Sequence, residues 1–160
     1  MIHRTPQFTQ TYYSSSFTQL DKDIHDSFMH ELGPGDLPTR RKQKRILGII
    51  TPHSNYKLSG PCSAWAYKEL AESIFTKTYI ILGSNHTTKK EDITTSLFSS
   101  WETPFGLVTI NTLQGNTLLK HDPSIHNDYG SHNNEHSIEV QLPFLQFVNK
   151  DRINDIALVP

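Results

Sequence analysis

The apolar positions of this chain follow two different periods, and the switch between them marks its parts. In "FTQLDKDIHDSFMHEL", Phe17, Leu20, Ile24, Phe28 and Leu32 recur every three or four residues, the spacing of an amphipathic helix with one face on a core. "GPGDLP" ends that pattern. "RILGIITP" and "TYIILGSNH" are instead continuous apolar runs without alternation, as strands covered on both faces are. Between them, "PCSAWAYKELAES" places Ala64, Tyr67, Leu70 and Ala71 on one side of a second helix. Strand, helix, strand predicts a βαβ unit whose parallel strands point their carboxyl ends to one edge of a sheet. Further along, "DITTSLF" and "GLVTI" read as strands around "SSWETPFG", and "NTLLKHD" reads as a short helix. "DPSIHNDYGSHNNEH" is a polar loop leading into a helix from Ser137, with Ile138, Leu142 and Leu145 as its core stripe. "DIALVP" begins another buried strand, whose edge is expected to lie uncovered. Residues 1–16 read as an extended lead-in. The expected fold is α/β: a single domain over residues 1–160 with a largely parallel central sheet and flanking helices.

Composition narrows the classes of function. With 15 Lys+Arg against 16 Asp+Glu the formal net charge is -1, so no global field draws the chain to nucleic acid or to a membrane. The one strong basic run, "RRKQKR" from Arg40 to Arg45, is short and has no interleaved aromatics, and reads as a solvated linker. Cys62 is the single cysteine, which rules out an internal disulfide and agrees with a reducing compartment. No apolar stretch approaches the roughly 20 residues that span a bilayer, and "MIHRTPQFTQ" lacks the apolar core of a signal peptide. A soluble, cytoplasmic protein is the expectation. The unusual total is 9 histidines, which directs attention to metal or proton chemistry.

In open α/β sheets, ligands bind beyond the carboxyl ends of the strands. His53 follows directly after "RILGIITP" and His86 after "TYIILGSN", so both imidazoles are expected in loops at one edge, a natural start for a transition-metal site. "NNEHSIEVQLPFLQF" poses a separate problem, because Glu135, His136 and Glu139 crowd against an apolar run. Capping by Asn133 or Asn134 and the helix dipole account for the carboxylates, but a helix start gains nothing from His136. No Gly-rich phosphate loop and no nucleophile signature is present.

Several segments resemble one family in the same order. "ITPHSNYKLSG" is similar to the "PHAGYxYSG" signature of the Memo family, the mediators of ErbB2-driven cell motility and their archaeal and bacterial counterparts in the AmmeMemoRadiSam system. "TYYSSS" resembles that family's "GSWYP", "ILGSNH" its "ILGPSHH", "WETPFG" its "WxTPLG", and "NNEHSIEVQLPFLQF" its "DEHSIEMHLPYL". The family in turn resembles class III extradiol ring-cleaving dioxygenases, so the resemblance implies that fold, with iron or copper as cofactor. It implies His53 and His86 as metal ligands and His136, Glu135 and Glu139 as the polar, catalytic groups facing the pocket, with His136 moving protons. Departures are Ser54 and Asn55 in place of an Ala-Gly pair, Thr87 in place of a second His, and Tyr12 in place of Trp. Family members are nearly twice this length, so the chain is expected to be the N-terminal half, lacking the third ligand. Cys62 lies in a helix region and does not match the family's ligand Cys. Three readings stay open: a metal-dependent, dioxygenase-like oxidoreductase acting on a small molecule; a non-catalytic module binding a peptide or protein in the same pocket; and an inactive fragment.

Overall fold

A computed structural model describes residues 3–87 and 93–160. The elements in chain order are β1 (His3–Arg4), α1 (Phe17–Met29), α2 (Tyr56–Ala71), β2 (Thr78–Ile80), β3 (Ile93–Thr95), β4 (Ser100–Thr103), β5 (Gly106–Ile110), α3 (Thr112–His121), β6 (Ile125–Asn127), α4 (Tyr129–Asn133), α5 (Leu142–Val148) and β7 (Ala157–Val159). Short 3-10 turns at Glu139–Gln141 and Lys150–Asp155 flank α5. Five strands form a mixed sheet in the order β1-β4-β5-β7-β2, parallel except for the β4–β5 hairpin. β3 and β6 form a separate parallel pair. The expected α/β class, with a mostly parallel sheet and flanking helices, is what the chain adopts.

The core lies between the sheet and a layer made of α1, α2 and α5. Leu20, Ile24 and Phe28 of α1 are fully buried as the periodicity requires, whereas Phe17 and Leu32 at the two ends of the expected stripe are exposed. Ser16 caps α1 by accepting from the Gln19 N–H, and the helix ends at Met29, short of Leu32. α2 begins before the expected "PCSAW", because Asn55 accepts from the Leu58 N–H and starts the helix ahead of Pro61. α1 and α2 cross closely where Gly60 meets Ser27: a Cβ at Gly60 would lie 2.3 Å from the Ser27 Oγ. α5 buries almost its whole circumference, with Phe144 stacked 5.2 Å from Tyr67 and edge-on to Tyr56 at 4.9 Å, and Phe147 stacked 5.6 Å from Phe28.

Several expectations are corrected. "RILGIITP" belongs to no strand; residues 46–51 line one groove with β2 but no backbone hydrogen bond joins the two, so the first half of the expected βαβ unit is not part of the sheet. "SSWETPFG" holds β4 itself, because its polar residues face a hairpin partner and not a loop. The polar loop before His136 contains β6 and α4. The helix expected from Ser137 starts as a 3-10 turn and becomes α-helical only at Leu142, with Pro143 in its first turn. "DIALVP" is not an exposed edge: β7 lies between β5 and β2 and pairs with both. The basic run is a linker, as read, but one tied to its surroundings: Arg41 reaches Asp151 at 3.1 Å, Lys42 pairs with Glu72, and Lys44 pairs with Glu69. Among the described residues no helix is long and apolar enough to cross a membrane.

Candidate metal centre

Three histidines from three separate stretches of sequence meet in one place. The rings of His53 and His86 are 5.1 Å apart, His53 and His136 5.6 Å, and His86 and His136 4.9 Å. One nitrogen from each lies within 4.8 Å of the others. His53 is held by the turn before α2: Gln141 donates its amide to the Pro52 carbonyl at 3.0 Å and pairs with the Thr51 hydroxyl at 2.7 Å, while Ser59 donates to the Ser54 carbonyl at 3.0 Å. His86 follows β2 on a loop pressed against residues 137 and 138. Gly83 permits that approach, since a Cβ there would lie 2.4 Å from the Ser137 Oγ, and Ser137 donates to the Ser84 carbonyl at 2.8 Å. His136 precedes the 3-10 turn, and its ring packs 4.3 Å from that of Tyr12, with Phe8 at 5.5 Å.

Glu135 organises two of the three. Its carboxylate accepts from the backbone N–H of His86 at 2.7 Å, of His136 at 2.8 Å and of Ser137 at 2.9 Å. The same group lies 3.1 Å from the His86 Nδ1 and 3.2 Å from the His136 Nδ1. Burial raises the Glu135 carboxyl, but the His86 and Ser137 N–H groups and the His86 ring outweigh it and hold the pKa at about 2. With its Nδ1 hydrogen-bonded to the carboxylate, His86 has Nε2 left for a ligand, the arrangement that orients histidine ligands in metal proteins. Burial, opposed by Glu135 and reinforced by the two neighbouring imidazoles, shifts His136 below the ordinary histidine value.

Glu139 is placed elsewhere. It is fully buried and spent on structure: the Arg4 Nη1 donates to it at 2.6 Å, the Tyr13 hydroxyl at 2.7 Å and the Phe8 N–H at 2.9 Å, and the Gln7 N–H at 3.1 Å. Arg4 also donates to the carbonyls of His132 at 2.8 Å and Glu135 at 3.1 Å and lies 4.1 Å over the Trp101 ring. The pair thus fixes the backbone leading into the Glu135–His136 step. The structure brings together His53, His86, His136 and Glu135, and leaves Glu139 outside that group.

The family model for Memo-like proteins matches residues 4–160. This chain belongs to the Memo family. Among its relatives, the MEMO1 family protein of Methanopyrus kandleri is 42% identical over 148 residues, covering 92% of this chain and 52% of the relative. Those of Ignicoccus hospitalis and Thermotoga petrophila are 37% and 35% identical over 99% of this chain, covering 56% and 57% of theirs. This Memo-family chain therefore spans about half the length of the curated relatives it matches.

Two kinds of site residue escaped the sequence. The aromatic wall of Tyr12 and Phe8 over His136 had one signal, the "TYYSSS" segment, but its packing against residue 136 requires the fold. Gln141, which clamps residues 51 and 52, is a glutamine in a helix-like run and carries no signal by itself.

Proposed function

We propose that His53, His86 and His136 together hold one divalent transition metal, in a fold related to the class III extradiol dioxygenases. The observation that carries this reading is the convergence of three imidazole nitrogens within 4.8 Å, with one carboxylate hydrogen-bonded to the His86 Nδ1 and lying 3.2 Å from the His136 Nδ1. A tetrahedral centre with bonds of about 2.1 Å wants its nitrogens about 3.4 Å apart, a change that ring rotation supplies. Imidazole suits iron, copper and zinc, and iron or copper is the reading the family resemblance favours. The metal, when bound, supplies Lewis acidity and open positions for a small molecule. Around it, Glu135 orients His86 through Nδ1, and the lowered pKa of His136 favours the unprotonated ring that a metal requires. Tyr12 and Phe8 exclude water from the side of His136.

A non-catalytic role, in which the same pocket takes a peptide or protein ligand, is favoured by one feature. The His86 side chain is 43% exposed, so water reaches the centre in this chain. The test is calorimetric titration with Cu(II), and with Fe(II) under anaerobic conditions. His53→Ala, His86→Ala and His136→Ala are each expected to weaken binding at least tenfold, and Glu135→Gln about 10- to 100-fold, with circular dichroism unchanged. Wild-type affinity in His136→Ala would reduce the centre to a pair, and equal affinity in every variant would remove it.

A further inference from the structure

We infer that Arg4 and Glu139 are positioning residues of the metal centre: from outside it, they decide whether the His136 ring stands as the third ligand beside His53 and His86. This rests on the reading of the three histidines as a metal site. Both side chains are fully buried and neither belongs to the histidine group. Arg4 reaches that group from the sheet. On β1 it pairs with Trp101 of β4, and its guanidinium lies 4.1 Å over the Trp101 ring. From there one planar fork holds a curl of backbone: Nε donates to the His132 carbonyl at 2.8 Å, and Nη2 donates to those of Asn133 at 3.3 Å and Glu135 at 3.1 Å. Glu135 is thereby held at both ends, its carbonyl by Arg4 and its carboxylate by the N–H groups of His86, His136 and Ser137. The direction in which the chain enters His136 follows from that grip.

Glu139 acts on the same ring through the lead-in. Besides the Arg4 Nη1 at 2.6 Å, its carboxylate accepts from the Gln7 N–H at 3.1 Å, the Phe8 N–H at 2.9 Å and the Tyr13 hydroxyl at 2.7 Å. Those bonds fasten residues 4–13 to the segment that carries His136. The fastened stretch holds Phe8 and Tyr12, whose rings lie 5.5 Å and 4.3 Å from that of His136. The backbone entering His136 and the aromatic wall against its ring therefore trace to one ion pair. Stability alone is a weak reason for such a pair, since apolar side chains of similar volume often serve a core as well or better. What they lack is the rigid fork of donors that fixes three carbonyls and a carboxylate at set angles. Positioning of His136 is the role that this geometry fills.

Two substitutions keep both buried charges and change the geometry alone: Arg4→Lys replaces the fork by a single ammonium, and Glu139→Asp shortens the reach by a methylene. Glu72→Gln, which loses the Lys42 pair outside the site, is the control for lost stability. Each protein is loaded with Cu(II), and the imidazoles bound per copper are counted by pulsed EPR. In the metal-free proteins the nuclear Overhauser effect between the Tyr12 and His136 rings is measured. Wild type and Glu72→Gln are expected to show three imidazoles and a strong ring–ring effect. Arg4→Lys and Glu139→Asp are expected to stay folded by circular dichroism, to bind copper about tenfold more weakly through two imidazoles, and to lose most of the ring–ring effect. Three imidazoles with an undiminished ring–ring effect in the folded variants would overturn the inference. Equal losses in Glu72→Gln, or unfolding of both variants, would overturn it too, by leaving the pair a support of the fold alone. If wild type binds no copper, the metal reading fails, and the ring–ring effect still decides the positioning: its loss in the two variants supports it and its persistence overturns it.

Discussion

Removing one side of the Arg4–Glu139 pair separates a structural account of Glu139 from a chemical one. Both side chains are wholly buried, 2.6 Å apart. Breaking a buried ion pair by deleting one partner costs about 3–5 kcal/mol, because the other charge stays buried and uncompensated. Glu139→Ala also strands the Phe8 N–H and the Tyr13 hydroxyl, while Arg4→Met strands the carbonyls of His132 and Glu135. Each single variant is therefore expected to lose about 4 kcal/mol, about a quarter or more of the about 5–15 kcal/mol that holds a domain of this kind. Replacing both with apolar residues, in Arg4→Met/Glu139→Leu, removes the two buried charges at once. The double variant is expected to be more stable than the sum of the singles by about 3 kcal/mol, within the range of coupling for residues in contact. Urea unfolding at neutral pH reads each corner of the cycle, with an unchanged m-value showing that the same surface is exposed. Two singles that cost under about 1 kcal/mol each, or a cycle that is simply additive, would refute the reasoning and return Glu139 to the pocket chemistry.

Glu72 supplies an acid-sensitive part of the stability. The Lys42 ammonium, then the Thr39 N–H, hold its carboxyl at about 2, below the ordinary 4.5. The lowered folded-state pKa means its contribution is full above about pH 4.5 and is lost as the pH falls towards 2. The gap in urea midpoint between wild type and Glu72→Gln is therefore expected to narrow from pH 5 to pH 2; a constant gap would contradict the pairing. At the α1–α2 crossing, Gly60→Ala is expected to cost about 1–3 kcal/mol through overpacking on Ser27, and Ser27→Ala in the same chain to recover part of it. No recovery in thermal unfolding of the double variant would place the strain elsewhere.

What the sequence made legible is local. The helix stripe of α1 and the histidine at the end of each apolar run follow from periodicity, and those histidines do come together. Asn55 stands out in the sequence only as a departure from the family's Ala-Gly pair, because a cap is recognised only once the helix start is known. Arg4 and Glu139 are a different case: their meeting joins residues from opposite ends of the described chain, and nothing near Glu139 in sequence distinguishes a buried anchor from a pocket carboxylate. His136 does converge with His53 and His86, but its distance from them is set by loops rather than by spacing. The run at 46–51 failed as a strand because strand identity requires a partner, and the pattern of apolar residues reports covering, not pairing.

The place of β7 bears on how this polypeptide comes to be folded as it is made. The strand that joins the two sides of the sheet is the last of the described strands to be synthesised, so while it is awaited, β5 and β2 have no common neighbour. A ribosome-bound intermediate would hold the α1–α2 pair, which is local in sequence, beside a hairpin and a lone strand with apolar residues such as Val108, Ile110 and Tyr79 uncovered. Contacts of such long sequence separation form slowly, and surface exposed in the interval is what draws aggregation or a chaperone. Pausing translation before and after codon 157 is thus a point at which protease sensitivity of the nascent chain should change abruptly.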